Sequence, residues 1–393
     1  MSAALPARPT VVPFAAVSFA YFAYAGLVGT YGPLWFRSLG YTTFAIGVLT
    51  SLQSSTRLFS PYAWGWVADH TGRRERLLRI AAGGSLLASI GFLAPLSYAW
   101  VSVVTVVLFV CTAGVIPISE ATLAHRVSSG ARLDVARYGR VRMWGSVGFV
   151  AAVTASGFML QAAGIGWFPA IVCGLLALLL IAAWRLPAPE ETAPTAEATA
   201  GALAVLREPV VGWFFAGCFL TVLAHTALYA FYSLYLASLG YSAGEIGMLW
   251  AAGVAVEVVW FYSQGRWTRL LSTHAWLVAA ALASALRFAL IAGFAAHPAV
   301  LIAAQMLHAL TFAAQHSACI AVITRHFPAR LRGRGQALYT VLGYGASGVI
   351  GGIAGGALSE ALGFASVFWA ASVVALAAAY CSRRALLADR AAG

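Results

Sequence analysis

Leu34–Leu49 reads LWFRSLGYTTFAIGVL, and Leu234–Leu249 reads LYLASLGYSAGEIGML. The two stretches align without a gap 200 positions apart, and Ser-Leu-Gly-Tyr is identical in both. Each joins the end of one apolar run to the start of the next. Self-similarity at one long offset in a chain of 393 residues points to two halves built alike and running in the same direction.

Composition says what those halves are made of. Of the residues 61% are hydrophobic and 9% charged, against roughly 25% charged in a soluble domain. No soluble fold of this length hides so much apolar surface. A bilayer-spanning helix needs about 20 mainly apolar residues. Apolar runs near 12–36, 43–67, 78–97, 101–124, 141–163 and 166–184 are followed, after a break, by runs near 210–238, 245–264, 274–295, 298–324, 336–358 and 362–382. The expected fold is an all-α membrane bundle of twelve helices in two pseudo-symmetric six-helix halves, 1–185 and 210–393. Between them, 186–209 carries Pro187, Pro189, Glu190, Glu191 and Pro194 and reads as a flexible cytoplasmic linker. Arg8 ahead of the first run has a signal-like look, but an apolar stretch from Val11 to about Trp35 exceeds a cleaved signal's core and is read as span 1.

Charge placement gives the orientation. All 24 basic residues are Arg. Arg73, Arg74, Arg76 and Arg79 follow span 2, Arg126, Arg132, Arg137 and Arg140 follow span 4, and Arg185 and Arg207 flank the linker. Arg266 and Arg269 follow span 8, Arg325, Arg330, Arg332 and Arg334 follow span 10, and Arg383, Arg384 and Arg390 follow span 12. The alternate loops hold almost none, Arg37 being the exception. The positive-inside rule then puts both termini in the cytoplasm of a bacterial inner-membrane protein. Arginines divided among membrane-edge loops do not form a nucleic-acid surface, whatever the net charge of +12 suggests. Cys111, Cys173, Cys218, Cys319 and Cys381 fall in apolar stretches, so neither a disulfide nor a zinc motif is indicated.

Charges within spans are costly and mark function by default. Five stand out: Arg57, Glu120, Arg142, Glu257 and Arg287. Arg57 and Glu257 are 200 positions apart, so the repeat puts them at similar depth on facing helices. Such a pair can bind solute, bind a proton or lock one conformation; it can also simply hold the bundle together. His308, with Gln305, Phe312, Gln315 and His316, forms one polar stripe on span 10, and Thr221, His225, Tyr229 and Tyr232 form another on span 7. Polar stripes in a lipid-embedded helix must face protein or water. Most of the aromatics fit lipid-facing or interfacial belts; Tyr24, Trp144 and Phe149 are expected in the cavity. Gly348, Gly352 and Gly356 on span 11 signal close helix packing.

The stretch GWVADHTGRR, Gly65 to Arg74, resembles the loop 2–3 signature of the major facilitator family, with Gly65, Asp69, Gly72, Arg73 and Arg74 in place and His70 where a basic residue is usual. The resemblance implies the major facilitator bundle, a solute site near mid-membrane between the halves, and a latch closing the cytoplasmic side through a carboxylate at a helix end. The second-half counterpart, Gly265 to Arg269, is degenerate. YGRVRMWGSVGF (Tyr138–Phe149), LRF (Leu286–Phe288) and QMLHALTF (Gln305–Phe312) resemble the lactose permease group, which implies proton coupling through Glu257, Arg287 and His308. Thr311 stands where that group has an acid, and Phe149 where it has a sugar-stacking tryptophan, which points away from galactosides. A closer resemblance is to the phenylpropionate permease branch, through Arg57, Pro117–Glu120, His225 before Tyr229–Tyr232, and His308 with His316. It implies proton symport of a small, aromatic carboxylate such as 3-phenylpropionate by a monomer, with Arg57, Tyr24, Glu120, Arg142, Trp144, Phe149, His225 and Tyr229 around the substrate. A proton-coupled sugar or nucleoside symporter is the alternative. No nucleophile–base cluster, cofactor motif or metal set suggests an enzyme.

Overall fold

The computed structural model describes residues 11–129, 132–186, 205–328 and 331–392. Most of the expected linker, 187–204, lies outside the described residues. Eleven helices among them are long and apolar enough to cross a bilayer: Val12–Ser38, Arg74–Leu93, Tyr98–Ala124, Arg137–Ala163, Ile165–Trp184, Pro209–Ser238, Ala243–Trp267, Thr273–Phe294, Pro298–His326, Arg332–Leu362 and Phe364–Ala391. They are spans 1 and 3 to 12. Span 2 completes the twelve but is broken. Its helices, Thr43–Ser55 and Ser60–Thr71, meet at a 3₁₀ turn over Thr56–Leu58. Pro61 is the cause, because it has no N–H to return to the carbonyl four residues earlier, which is that of Arg57. A two-residue antiparallel pairing, Ser128–Ser129 with Arg132–Leu133, sits in loop 4–5.

The repeated stretch now has a physical reading. Gly40 and Gly240 both adopt positive φ, +85° and +91°, which terminates spans 1 and 7 without the steric cost a side chain would meet. Tyr41 N–H returns to Phe36 O and Tyr241 N–H to Leu236 O, the same closing bond in both halves. Thr42 and Ser242 then cap spans 2 and 8 by accepting from Ala45 N–H and Glu245 N–H. Ser-Leu-Gly-Tyr is therefore a helix stop and restart written twice.

Packing follows the same symmetry. Span 1 lies on spans 5 and 6 and span 3 on spans 4 and 6, while span 12 lies on spans 7 and 9 and span 10 on spans 8 and 9. The first six spans meet the last six along two seams, span 2 with span 11 and span 5 with span 8. Both seams close tightly at the end opposite the arginine-rich loops. A Cβ on Gly47 would run into the Gly352 carbonyl, and one on Gly247 into the Val153 carbonyl. Ser51 Oγ donates to Val349 O at 2.8 Å, and Tyr31 OH, bonded to Val153 O of its own half at 2.6 Å, reaches Ala243 O across the seam at 3.1 Å. At the rim, Glu360 Oε2 accepts from Phe44 N–H at 2.8 Å, and Gln161 Oε1 accepts from Gly244 N–H at 3.2 Å. Phe44 and Gly244 are 200 positions apart. Each half thus caps the other's helix N-terminus, where the unpaired N–H groups and the helix dipole favour an acceptor.

At the arginine-rich end span 2 parts from span 11. Ser60–Thr71 packs on its own half, against spans 3 and 4, and Phe59, Tyr62 and Trp66 are exposed. The structure is a bundle sealed at one end and cleft at the other. Replacing Gly47 with valine overpacks the seal and is expected to disfavour the sealed conformation by about 1–3 kcal/mol. Disulfide trapping between cysteines placed at Phe44 and Glu360 reads this directly; trapping undiminished by Gly47→Val contradicts it.

Candidate functional site

The floor of the cleft in the second half is built around Arg287, which span 9 buries completely. Its Nη1 donates to His308 Nδ1 at 2.9 Å and to Thr311 Oγ1 at 3.0 Å, and its Nη2 donates to Gln305 Oε1 at 2.8 Å. Gln305 Nε2 in turn donates to Tyr232 OH at 2.8 Å. An arginine donates only, so His308 Nδ1 must be an acceptor and the ring proton sits on Nε2. That nitrogen faces Glu257 Oε2 at 3.6 Å. The result is a line of polar groups from Tyr232 through Gln305, Arg287 and His308 to Glu257, whose carboxylate keeps partial exposure to the cleft. Spans 7, 8, 9 and 10 each contribute, as burial of a guanidinium in an apolar bundle requires.

Below His308 the rings of Phe312 and His316 stack in sequence, at 5.2 Å and then 6.2 Å between centroids. They are spaced by four residues on one face of span 10. His225 lies behind this surface. Its Nδ1 donates to the Thr221 carbonyl at 2.7 Å, which leaves Nε2 as a buried acceptor with no partner among the described residues. Tyr229 stacks on Trp250 beside it.

The first half presents a different set. Arg142 Nε meets Glu120 Oε1 at 2.9 Å, and its guanidinium lies 4.2 Å from the Phe22 ring centroid. Both charged side chains remain about one-third to two-fifths exposed, 34% for Glu120 and 41% for Arg142, so the pair is wet and contributes modestly to stability. Arg142 and His316 both lie within electrostatic reach of Glu257, which sets the two clusters across one cleft.

Arg57 is the remaining charge. It is exposed on the 3₁₀ turn of span 2, with its guanidinium 5.9 Å from the Tyr344 ring centroid. It has no acidic partner among the described residues. Tyr21, Tyr24 and Tyr229 all lie within its electrostatic reach. No ion pair with Glu257 is formed among the described residues; both charges act on Tyr229.

The other expected residues fall as follows. Tyr24 is buried behind Tyr21 with its ring 6.3 Å away. Phe149 packs onto Gly26 of span 1. Trp144 is half-exposed and lies about 180° around span 5 from Val153, the residue that meets span 8, since nine residues advance a helix by about 900°. It is on the outer face. Of the loop 2–3 residues, Gly72 takes a left-handed conformation at φ +62° and ends span 2, Gly65 has no atom near its open face, and Arg73 is exposed. The Asp69 side chain lies outside the described residues.

Three features were not foreseen from the sequence. Spans 7, 10 and 11 contain π-helical segments at Ala227–Phe231, Ala309–Ala314 and Tyr339–Ala346. Each begins within a few residues of a cleft side chain, and such widened turns recur at functional sites. Tyr344 packs beside Arg57, and the buried Tyr339 packs beside His316 and Tyr344; the YTVLGYGA run around them reads only as a glycine-rich helix. Thr311, which stands where the lactose permease group has an acid, accepts a hydrogen bond from Arg287.

A twelve-span bundle of two like halves, with a charged cleft between them, agrees with the similarity found to known proteins. The family model described as "MFS_1 like family" matches residues 12–370. The chain belongs to this family. As a member it is a membrane transporter of the major facilitator type, not an enzyme. It is 29% identical over 367 residues to the probable 3-phenylpropionic acid transporter of Escherichia coli (strain K12), covering 92% of this chain and 94% of that one. It is 27% identical over 365 residues to the maltose permease of Geobacillus stearothermophilus, covering 90% and 88%. Among solved structures, the nucleoside transporter NupG superposes with a TM-score of 0.78 at 16% identity, covering 95% of this chain and 98% of that one. A bacterial homologue of the human lysosomal transporter Spinster, inward-facing and unoccupied, gives 0.71 at 15% identity with 98% and 99% coverage. These structures share the fold.

Lysine cannot reproduce the three-way fork of Arg287. Arg287→Lys leaves a buried acceptor unpaired and is expected to lower stability by about 1–3 kcal/mol. A thermal melt in detergent reads this as a lower midpoint; an unchanged midpoint means the network is not structural.

Proposed function

We propose that this family member carries a small aromatic monocarboxylate across the bacterial inner membrane together with a proton, by alternating access. The observation that carries the reading is Arg57, a guanidinium exposed to the cleft without an acidic partner among the described residues and set among tyrosine rings. Arginine is suited to a carboxylate because its planar fork donates two parallel hydrogen bonds. Tyr21, Tyr229 and Tyr344 offer apolar faces for a ring at the same place. The relative named as a probable 3-phenylpropionic acid transporter supports that chemistry.

Charge balance supports the proton. The empty site holds three guanidinium groups, Arg57, Arg142 and Arg287, and two carboxylates, Glu120 and Glu257, for a net charge of +1. A bound carboxylate adds one negative charge. If Glu257 takes up one proton as the substrate binds, the site keeps the same net charge in the loaded and the empty carrier, so neither leg of the cycle has to move an extra charge through a low-dielectric site. His308 presents its Nε2 proton to that carboxylate, and Arg287 fixes the ring in that tautomer. The loaded site then carries the same net charge as the empty one, and both can rock. In this reading the termini and the arginine-rich loops are cytoplasmic, the cleft described above opens inward, and loop 2–3, with Asp69 and Arg73, closes it in the opposite state. One chain carries out the whole cycle.

Arg57→Gln tests the substrate assignment. Loss of a charge-assisted pair worth about 1.5–3 kcal/mol weakens 3-phenylpropionate binding by about 10- to 100-fold, measured by titration calorimetry, while the uncharged amide analogue binds both proteins alike. Equal loss for the amide contradicts the carboxylate role. Glu257→Gln is expected to retain binding and substrate exchange while losing accumulation driven by a proton gradient; a variant that still accumulates solute at the full rate removes Glu257 from the coupling.

A further inference from the structure

A second polar cluster lies far from the cleft, at the arginine-rich end of the last six spans. His274 opens span 9, His326 closes span 10, and Asp389 lies in the last turns of span 12. One donor atom from each falls within 4.8 Å of the others. His274 Nδ1 is 3.3 Å from Asp389 Oδ2, and His326 Nε2 is 4.0 Å from Asp389 Oδ1. Two ligands on one tetrahedral centre with bonds of about 2.0–2.1 Å stand about 3.3 Å apart. The first pair already has that spacing, and the second needs only a small closure.

The surroundings resemble those of a metal centre. His326 Nδ1 is 3.6 Å from Glu208 Oε2, the residue just before span 7. A carboxylate on the far nitrogen is the arrangement that orients a ligating histidine and strengthens it as a donor. His326 Nε2, the nitrogen on the cluster side, is buried and has no hydrogen-bond partner among the described residues. His274 is 1% exposed and faces Asp389 through Nδ1, while its Nε2, on the other side of the ring, has no partner among the described residues. Hydrogen bonding alone therefore leaves the cluster-side nitrogen of His326 unsatisfied. Arg325, 63% exposed, meets Asp389 Oδ2 at 3.2 Å and is free to swing into water.

We propose that His274, His326 and Asp389 form a binding site for a divalent transition-metal ion of the zinc class, with Glu208 supporting His326 and Arg325 displaced from Asp389 on binding. Two imidazoles and a carboxylate match the donor preference of zinc and leave a fourth position for water. The ion ties the ends of spans 9, 10 and 12 into one block, which braces span 10 below the His308–Phe312–His316 column. No sequence spacing announces the site, because its three ligands come from three spans.

The test uses full-length protein with any affinity tag removed, stripped with a chelator and titrated with zinc chloride by calorimetry, with bound zinc counted by elemental analysis. One equivalent per chain is expected, absent from His326→Ala and Asp389→Asn and retained by His297→Ala, which changes an exposed histidine elsewhere. Glu208→Gln weakens binding by about 10-fold or more. Size-exclusion elution checks that each variant is folded, and for any that is not, the visible spectrum of the wild-type cobalt(II) adduct reports directly on tetrahedral nitrogen–oxygen ligation. A wild-type protein with no saturable zinc site, or one whose affinity is unchanged in folded His326→Ala, overturns the proposal.

Discussion

A fully buried guanidinium in a bundle bathed by lipid sets the terms for this structure. Arg287 cannot shed its proton and cannot reach water, so the protein must surround it with acceptors. Those acceptors, His308, Thr311 and Gln305, come from span 10, and Gln305 is itself held by Tyr232 of span 7. The network fixes how spans 7, 9 and 10 face one another. It also fixes the His308 tautomer, and through it which proton meets Glu257 on span 8. The polar line in the second half is one consequence of one buried charge.

The first half is built on the opposite plan. Glu120 and Arg142 form a wet ion pair, and Arg57 stands on a helix break with aromatic rings in place of a counter-ion. A rigid, internally satisfied surface therefore faces a more open, hydrated one. Where the halves touch, the backbone symmetry is close: glycine against carbonyl, and a side-chain oxygen over the partner's helix N-terminus, twice. The chemistry of the two caps differs, a carboxylate at Glu360 and an amide at Gln161. The seal thus combines short, directional contacts with an apolar core that runs through both halves.

Much of this was legible in the amino-acid sequence. Apolar runs and the 200-residue repeat carry the fold, because a bilayer leaves few other solutions for such a chain. The Arg287–His308–Glu257 group could be singled out because charges inside spans are rare. Other features could not. The break at Arg57 depends on Pro61 but also on how span 2 meets span 11. The π-helical segments leave no mark in periodicity, since one inserted residue in a uniformly apolar helix changes nothing in the pattern. Trp144 looks like a cavity residue by composition, and only its angular position against Val153 sends it outward. Tyr339 and Tyr344 were hidden in a run that reads as packing. The His274–His326–Asp389 cluster is invisible for a related reason: its members are local to nothing until three helix ends converge.

The central claim is that the cleft between the halves moves a carboxylate and a proton together. Uptake of radiolabelled 3-phenylpropionate into proteoliposomes, with and without an inward proton gradient, tests it most directly. The account predicts accumulation above equilibrium only when the gradient is present, abolished by a protonophore. Uptake that ignores the gradient contradicts the coupling, and absence of uptake alongside gradient-driven transport of a sugar or nucleoside contradicts the carboxylate.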